Sequence, residues 1–363
     1  MKKLGIIGWR GMVGQVLCQR MEEMGDFDRF QTTLFSGGLK GQKNQWHPKA
    51  LKVIADSHDF ESLAHQEILI SCQGGAYSLE VYPKLSQMGW KGIWIDAASA
   101  FRMDDDSCLV LDPVNRAQIE QALDKGIQKF IGANCTVSLM LMATIALFKE
   151  NLVEWVSSQT YQAASGAGAK NMLELLNQSH YLTTPFQSTT MSALEVEKAL
   201  TLRMRDNQYP TQEFGAGLAF SLLPWIDKKV ESGQTREEWK AQVEANKLLE
   251  TSSLIPMDGN CVRVGSLRCH SQALTIKLRK NVELPTLEQM IKASHEWLEY
   301  VPNEKADTLM QLNPGHVSGS LNIAVGRLRK MTLGEDYLGL FTVGDQLLWG
   351  AAEPLRRMLS IIS

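Results

Sequence analysis

The sequence lacks a surplus of either charge and lacks any long apolar run. Its 363 residues include 37 Lys and Arg and 40 Asp and Glu, which gives a formal net charge of −3. This balance excludes the basic surplus that drives sequence-independent binding to nucleic acids. No apolar run reaches the ~18 residues of a membrane span, and no apolar signal core follows Met1. We therefore expect no nucleic-acid partner, no membrane attachment and a cytoplasmic location.

Cysteines are few and are not grouped. The six cysteines show no Cys-x-x-Cys pair and no Cys/His cluster, and they are Cys18, Cys72, Cys108, Cys135, Cys261 and Cys269. In a reducing compartment this distribution indicates buried thiols, with room for one reactive thiol. It argues against both a disulfide framework and a zinc site, so we expect no metal.

The length and the hydrophobic pattern predict an α/β protein with two domains. Up to residue 133, short apolar runs alternate with helical or polar stretches, which is typical of a mainly parallel sheet with crossover helices. Residues 134–350 mix long helical patterns with alternating strands and predict an α+β domain. A C-terminal helix at about 351–363 is expected to return to the first domain. The predicted fold is a Rossmann-like nucleotide-binding domain followed by this second domain.

A glycine-rich turn connects the first predicted strand to the first predicted helix. The strand ends at Gly8, the turn continues through Gly11 and Gly14, and apolar spacing indicates a helix from Val13. Backbone N–H groups and the helix dipole at such a turn can bind a pyrophosphate. A nucleotide site is the favoured interpretation, and a tight turn without a ligand is the alternative.

The end of the second predicted strand bears on which nucleotide binds. Phe35 is followed by Ser36, Gly37 and Gly38, with no Asp or Glu to accept a hydrogen bond from a ribose 2′-hydroxyl. This absence favours NADP over NAD. The nearby cations that could meet a 2′-phosphate are Arg10, Lys40 and Lys43.

One cysteine stands at the start of a predicted helix. An apolar strand runs from Phe130 into Asn134, a suitable N-cap, and Cys135 precedes the helical pattern that begins at Thr136. Free N–H groups and partial positive charge at a helix start favour a thiolate and can stabilise an oxyanion. Cys135 is therefore the candidate nucleophile, and a buried structural cysteine is the alternative.

A thiol nucleophile needs a proton-transfer partner, and His270 is the best placed of the seven histidines. It ends a strand pattern that also carries Arg263 and Arg268, so anion-binding and proton-transfer groups could lie together. Arg263 and His270 are seven residues apart and would face opposite sides of a straight strand. We therefore predict a bulge or bend at Gly265 if both side chains line one pocket.

Three further features have both a structural and a functional interpretation. The small residues between Tyr161 and Ala169 either allow close approach of a ligand or form a helix-packing turn. Glu237 and Lys240 lie three apart on one helical face, and spacing alone favours a surface ion pair. Arg102 follows a stretch of small residues and could project into the cleft.

Eight motifs together give the chain a resemblance to a known family. They are Gly8-Trp-Arg-Gly-Met-Val-Gly14, Gln73-Gly-Gly75, Ile95-Asp-Ala-Ala-Ser99, Gly132-Ala-Asn-Cys-Thr-Val-Ser138, Tyr161-Gln-Ala-Ala-Ser-Gly166, Ser221-Leu-Leu-Pro-Trp-Ile226, Arg263-Val-Gly-Ser-Leu-Arg-Cys-His-Ser271 and Phe341-Thr-Val-Gly-Asp-Gln-Leu-Leu-Trp-Gly350. Over nearly its whole length the sequence resembles the aspartate-β-semialdehyde dehydrogenases of the Gram-negative bacterial type.

The resemblance implies a homodimeric NADP enzyme of the aspartate pathway to lysine, threonine, methionine and diaminopimelate. The implied reaction is reversible, and L-aspartyl-4-phosphate and NADPH give L-aspartate 4-semialdehyde, NADP and phosphate. The α+β domain is then the catalytic and dimerisation domain. The expected partners are a small-molecule substrate, inorganic phosphate and a second copy of the chain.

The resemblance also implies roles for individual residues. Cys135 is the nucleophile that forms an acyl-thioester, His270 is the acid/base, and Gln162 orients the substrate. The substrate-binding residues are Arg263 for the carboxylate, Glu237 for the amino group, and Arg102 and Lys240 for the phosphate. The implied cofactor contacts are Gly8, Arg10, Gly11, Met12, Val13, Gly37, Gly38, Gln73, Ser165, Gly166 and Gln346.

The sequence departs from the family at two places. Gly37 and Gly38 stand where related sequences often carry Thr-Ser, which removes two hydroxyls from the expected cofactor site. The segment from Ser179 to Thr190 differs and looks shorter, so no cofactor or dimer contact is transferred to it.

Two other functions compete with this one. An N-acetyl-γ-glutamyl-phosphate reductase performs related chemistry, but Glu237 together with Arg263 suits a substrate with a free amino group and a carboxylate. A nucleotide-binding regulatory protein without catalysis is disfavoured because the nucleophile, the acid/base and both phosphate residues are present.

Overall fold

The computed structural model describes residues 1–186 and 190–363, and the first part of the chain builds a six-stranded parallel sheet. Its strands are β1 (Lys2–Ile7), β2 (Phe30–Phe35), β3 (Ile68–Ser71), β4 (Ile93–Asp96), β5 (Ser107–Val110) and β6 (Lys129–Gly132). They lie in the order β2-β1-β3-β4-β6-β5 with parallel neighbours. The helices are α1 (Met12–Glu23), α2 (Phe60–Ala64), α3 (Gly75–Gln87) and α4 (Asp112–Asp124). The predicted Rossmann-like fold is confirmed.

The turn after β1 requires glycine for steric reasons. Gly8 has a φ of +75°, and a Cβ there would lie 2.5 Å from the backbone carbonyl carbon of Cys72, just after β3. A Cβ on Gly14 would lie 2.3 Å from the carbonyl oxygen of Gly8. The two glycines let α1 begin close against the end of β1, where a parallel sheet of this kind binds nucleotides.

The second part of the chain forms a mixed eight-stranded sheet. Its strands are β7 (Val153–Gln162), β8 (Leu222–Leu223), β9 (Met257–Asp258), β10 (Cys261–Val264), β11 (Cys269–Leu278), β12 (Leu298–Tyr300), β13 (Ile323–Met331) and β14 (Gly334–Asp345). The order is β12-β13-β14-β11-β7-β10-β8, and β9 also pairs with β7. The helices are α5 (Cys135–Lys149), α6 (Ala169–Thr183), α7 (Ala193–Met204), α8 (Arg236–Leu249), α9 (Leu284–Lys292), α10 (Lys305–Gln311) and α11 (Pro314–Val317).

Helix α5 is buried along most of its length. Eleven of its 15 residues are buried, and they lie between Thr136 and Leu147. A helix that is apolar on every side belongs in the interior, and α5 packs against α8, α9, β13 and β14. The core therefore fixes the start of this helix, which carries Cys135.

The C-terminal helix α12 (Glu353–Ile362) follows a π-helical turn and packs on the first sheet. Leu355 and Leu359 are buried in the same apolar cluster as Leu4 of β1. This packing explains the strong amphipathic pattern at the end of the sequence. The division of the chain into 1–133 with 351–363, and 134–350, stays a prediction.

Some strands differ from the sequence pattern. The long strands β7 and β14 are not predicted by it. The alternating pattern of the sequence predicts a strand over residues 318–327, but the strand β13 begins only at Ile323. Helix α11 precedes it, and the side chain of Asn313 caps that short helix.

Membrane-spanning and metal-binding features are absent from the part of the chain that the structure describes. None of its helices is long and apolar enough to cross a bilayer. These residues also contain no group of three or more His, Cys, Asp or Glu side chains that could hold a metal. The six cysteines form no disulfide bond.

Candidate active site

Cys135 is the first residue of α5 and lies just beyond the end of β6. The side-chain oxygen of Asn134 accepts hydrogen bonds from the backbone N–H groups of Thr136 and Val137 at 3.0 and 3.2 Å. This cap satisfies two N–H groups that have no partner within the helix. Cys135, a half-buried residue, thus lies at the positive end of the helix dipole.

His270 lies beside Cys135. Its Nε2 atom is 3.3 Å from Sγ of Cys135, and its Nδ1 atom accepts a hydrogen bond from the backbone N–H of Ala163 at 3.0 Å. A ring nitrogen that accepts a hydrogen bond carries no proton, so the proton of the neutral ring is on Nε2. His270 therefore faces the sulfur as a hydrogen-bond donor.

Burial dominates the ionisation of this pair. It raises the pKa of the Cys135 thiol to about 12, with Glu237 acting in the same direction and three nearby cations opposing it. Burial also lowers the pKa of His270 to about 3, and the positive charge of Arg263 adds to that effect. Both pKa shifts favour a neutral thiol beside a neutral imidazole. Burial therefore opposes the thiolate that the helix dipole favours.

Arg263 reaches the same pocket because the chain reverses between β10 and β11. β10 runs parallel to β7 on one side, and β11 runs antiparallel to β7 on the other. The break predicted at Gly265 is present, and residues 265–268 make a complete crossover instead of a bulge. A Cβ on Gly166 would lie 2.8 Å from Nη1 of Arg263 and 3.3 Å from Nε2 of His270. Both side chains therefore border this glycine.

Glu237 lies at the centre of the polar site. Its carboxylate accepts hydrogen bonds from Nδ2 of Asn134 at 3.0 Å and Nε2 of Gln162 at 3.2 Å, and it pairs with Nζ of Lys240 at 2.8 Å. Burial alone would raise its pKa, but Lys240 and these hydrogen bonds lower that pKa to about 2. The surface ion pair that spacing alone favours is wrong, because Glu237 and Lys240 are only 6% and 9% exposed.

Arg102 approaches the nucleophile from the first sheet. It lies between β4 and β5, and its Nε atom donates to the carbonyl oxygen of Gly132 at 2.7 Å. Its Nη1 atom pairs with Glu244 at 3.1 Å. The positive charges of Arg102 and Lys240 both act on the thiol of Cys135. Two cations thus contribute to the electrostatic environment of this cysteine.

A cavity of about 470 Å³ lies at the glycine turn. Its walls include six of the predicted cofactor residues, which are Gly8, Arg10, Gly11, Gly37, Gly38 and Gln73. Nη2 of Arg10 reaches within 3.5 Å of the position that a Cβ would take on Gly38. The cavity combines backbone N–H groups at a helix start with the positive charge of Arg10, which fits the phosphate groups of a dinucleotide.

Only one of the three cations predicted for the 2′-phosphate lines this cavity. Among the described residues its wall includes Arg10 but neither Lys40 nor Lys43. Lys40 instead pairs with Asp56 at 2.9 Å on the surface. The position of Lys40 therefore gives no support to a cofactor role.

The other predicted cofactor residues lie at two separate places. Met12 and Val13 begin α1 directly after the glycine turn. In the second part of the chain, Nε2 of Gln346 donates to Oγ of Ser165 at 2.7 Å, and Ser165 adjoins Gly166, which borders Arg263 and His270.

Two groups at the site are not predicted from the sequence. The backbone N–H of Ala163 orients His270, and a backbone donor has no signature in residue type. Glu244 pairs with Arg102 from α8. It follows Lys240 by four residues, so helical periodicity offered a signal that it shares a face with the predicted site residues.

The segment from Ser179 to Thr190 lies partly outside the described residues. Helix α6 continues to Thr183, and a short 3₁₀ turn covers Thr184–Phe186. Residues 187–189 are not described, and no contact of the site is assigned to them.

The fold and this site define a class of protein, an oxidoreductase that binds a nicotinamide cofactor. Two family models match the chain: "Semialdehyde dehydrogenase, NAD binding domain" over residues 3–122 and "Semialdehyde dehydrogenase, dimerisation domain" over residues 145–349. The chain is similar to the aspartate semialdehyde dehydrogenase of Francisella tularensis, with 50% identity and a TM-score of 0.97 over 100% of both chains. The chain belongs to the aspartate semialdehyde dehydrogenase family.

Two less similar structures share the fold. Aspartate semialdehyde dehydrogenase II of Vibrio cholerae, complexed with ASA, is 23% identical with a TM-score of 0.81, over 100% of this chain and 99% of that chain. The Candida albicans enzyme with NADP is 16% identical with a TM-score of 0.67, over 100% and 98%. At these identities the likeness concerns the fold alone.

Proposed function

We propose that the chain catalyses the reversible, NADPH-dependent reduction of L-aspartyl-4-phosphate to L-aspartate 4-semialdehyde and phosphate, through an acyl-thioester on Cys135. One observation carries this proposal: Sγ of Cys135 lies at the start of a helix, 3.3 Å from Nε2 of His270. This arrangement suits a covalent step at an activated carbonyl. The matching family and the 50% identical Francisella tularensis structure support the same activity.

In the first step Cys135 attacks the acyl phosphate. A C–S bond forms and the C–O bond to phosphate breaks. The leaving group departs as hydrogen phosphate, which carries the proton that the thiol has lost. Arg102 and Lys240 are the cations that stabilise this leaving anion, since both act on the thiol electrostatically.

His270 acts as a donor in the proposed reaction. Its Nε2–H faces the sulfur and stabilises the negative charge that develops there when the thiol ionises. When hydride reaches the thioester, the same Nε2–H can donate a hydrogen bond to the carbonyl oxygen and stabilise its developing negative charge. The resulting thiohemiacetal anion releases the aldehyde by breaking the C–S bond, and the Cys135 thiolate regains its proton from solvent. A bound nicotinamide supplies the hydride for this reduction.

The substrate's own charges are matched by two buried groups. Arg263 is 6% exposed and donates through Nη1 to the carbonyl oxygen of Ala163 at 2.7 Å, which leaves other guanidinium donors for a carboxylate. Glu237 stays ionised because its pKa is lowered, so it can pair with an ammonium group. Gln162 is held by Glu237 at the end of β7 and orients the acyl group.

The chain's residues fit NADP as the cofactor. The cavity at the glycine turn contains Arg10, and no Asp or Glu is among the described residues of its wall. An acidic side chain there is what selects for the 2′-hydroxyl of NAD. We therefore assign the 2′-phosphate to the neighbourhood of Arg10, with Ser36 as its hydroxyl partner.

We also propose that the enzyme works as a homodimer in the cytoplasm. The matching dimerisation-domain model supports the dimer. Six cysteines without a disulfide bond suit a reducing compartment.

The proposal is tested by following NADPH formation from aspartate semialdehyde, NADP and phosphate. We expect the rate to require phosphate and to be higher with NADP than with NAD. N-acetylglutamate semialdehyde serves as the control substrate, because an acetylated amine carries no charge for Glu237. Faster turnover of that substrate, or a rate independent of phosphate, contradicts the proposal.

A further inference from the structure

Glu244 joins the start of α5 to Arg102. It lies on α8 with its side chain 2% exposed. Oε1 pairs with Nη1 of Arg102 at 3.1 Å, and Oε2 accepts a hydrogen bond from the backbone N–H of Asn134 at 2.7 Å. A single carboxylate therefore contacts both the proposed phosphate-binding arginine and the residue before the nucleophile.

The contacts of Arg102 show what this carboxylate does to it. Nε is bound to the carbonyl oxygen of Gly132 at 2.7 Å and Nη1 is bound to Glu244, while Nη2 is 3.5 Å from the carbonyl oxygen of Ala97. Two of the three nitrogens are thus held firmly. The third nitrogen, Nη2, can therefore donate hydrogen bonds to an anion, in a direction that the other two contacts fix.

The contact with Asn134 acts on the nucleophile's helix. The backbone N–H of an N-cap residue has no partner within its own helix, and here Glu244 accepts it. The side chain of Asn134 meanwhile accepts from the next N–H groups and donates to Glu237. The residue before Cys135 is therefore fixed through both its backbone and its side chain.

We propose that Glu244 is a positioning residue that orients Arg102 toward phosphate and fixes the position of that arginine relative to Cys135. This inference rests on the proposed function, in which Arg102 binds the phosphate. Glu244 touches neither phosphate nor the reacting carbon in this arrangement. Its effect is transmitted through Arg102, and this can be measured separately from an effect on folding.

The test measures the KM for inorganic phosphate in the oxidation of aspartate semialdehyde. We expect Glu244→Gln to raise this KM about tenfold or more, because one charge-assisted hydrogen bond to Arg102 is lost. The KM for NADP should stay within about twofold, because the cofactor cavity is separate. Glu238→Gln is the matched control, since Glu238 is also buried on α8 and accepts backbone N–H groups from Thr235 and Cys261 without contacting Arg102.

A double-variant comparison separates positioning from a general structural role. In an Arg102→Leu background, Glu244→Gln should raise the phosphate KM no further. An equal additional rise in that background, or an unchanged KM in the single variant, overturns the inference. If Arg102→Leu alone leaves the phosphate KM unchanged, the phosphate role of Arg102 fails and the inference fails with it. If the glutamine variant does not fold, Glu244→Asp replaces it, because aspartate keeps the charge but has a shorter side chain. We expect Glu244→Asp to raise the KM for phosphate several-fold. An unchanged KM for phosphate in this variant contradicts the inference.

Discussion

The backbone N–H of Ala163 donates to Nδ1 of His270 over 3.0 Å. This contact places the proton of the neutral ring on Nε2, and a second proton on Nδ1 would oppose the Ala163 N–H. Burial and the charge of Arg263 disfavour the imidazolium further. Our proposal therefore gives His270 the role of a neutral hydrogen-bond donor to Cys135, in place of a stored thiolate–imidazolium pair.

The first prediction concerns stability against pH. The pKa of His270 is about 3 in the folded protein, against 6.5 for the unperturbed side chain. Between these values the unfolded chain binds a proton that the folded chain does not, so the free energy of unfolding falls as pH decreases. We expect this fall to be steeper in the parent than in His270→Asn, by up to about 1.4 kcal/mol per pH unit for one proton.

The measurement is chemical denaturation of both proteins between pH 7 and pH 4. Other groups titrate in both, so the difference between the two slopes isolates His270. Parallel pH dependence in the parent and the variant contradicts the assignment of a neutral, buried ring.

The second prediction concerns the reactivity of Cys135 in the free enzyme. Burial raises the pKa of its thiol to about 12, so only a small fraction is thiolate at neutral pH. We expect its rate of alkylation by iodoacetamide to rise about tenfold per pH unit between pH 6 and pH 9. The modified peptide is identified by mass spectrometry. A rate that is already constant below pH 7 shows a preformed thiolate and rules out the neutral pair.

The sequence predicts the parts of the site that are built from neighbouring residues, but not the contacts between distant strands. The strand, the Asn134 cap and the helix start that place Cys135 are adjacent in the chain, so local rules predict them. The glycine turn at Gly8 is local in the same way. The meeting of Arg263 with His270 depends on two strands that flank β7 on opposite sides, and the strand pattern predicts only that a break is needed.

The charged residues of α8 show a different limit. Their spacing is that of an exposed helical face with ion pairs, and Glu237 and Lys240 are nevertheless buried. What buries them is packing against α5 and residues of the first sheet, which is a tertiary property. The same packing brings Glu244 into contact with Arg102. The local sequence pattern does not distinguish this buried carboxylate from one that is exposed to solvent.

The third prediction concerns recognition of the substrate's amino group. Glu237→Gln removes the negative charge that we assign to the ammonium group. We expect the ratio of kcat/KM for aspartate semialdehyde to that for succinate semialdehyde, which lacks the amine, to fall about tenfold or more. Glu238→Gln on the same helix is the control and should keep the parent ratio. An unchanged ratio in Glu237→Gln removes this residue from amine recognition.

The fourth prediction concerns the cofactor. Arg10 contributes its positive charge to the wall of the cavity at the glycine turn. We expect Arg10→Leu to weaken NADPH binding about tenfold or more and to leave NADH binding within about twofold, because only NADPH carries the 2′-phosphate. Fluorescence titration of each nucleotide measures this without turnover. Lys40→Leu is the control, since Lys40 pairs with Asp56 at the surface. Equal weakening of both nucleotides by Arg10→Leu places the 2′-phosphate elsewhere.

The covalent step on Cys135 is tested most directly by a single turnover without phosphate. Aspartate semialdehyde and NADP are mixed with the enzyme, the NADPH formed is counted by absorbance, and the acid-quenched protein is digested and analysed by mass spectrometry. With no phosphate to release the acyl group, we expect a burst of at most one NADPH per active site and an aspartyl adduct on the peptide of Cys135. Cys135→Ala should show neither, while Cys108→Ala, which removes a buried cysteine of β5, should behave as the parent. A full burst in Cys135→Ala, or an adduct on another residue, contradicts the account.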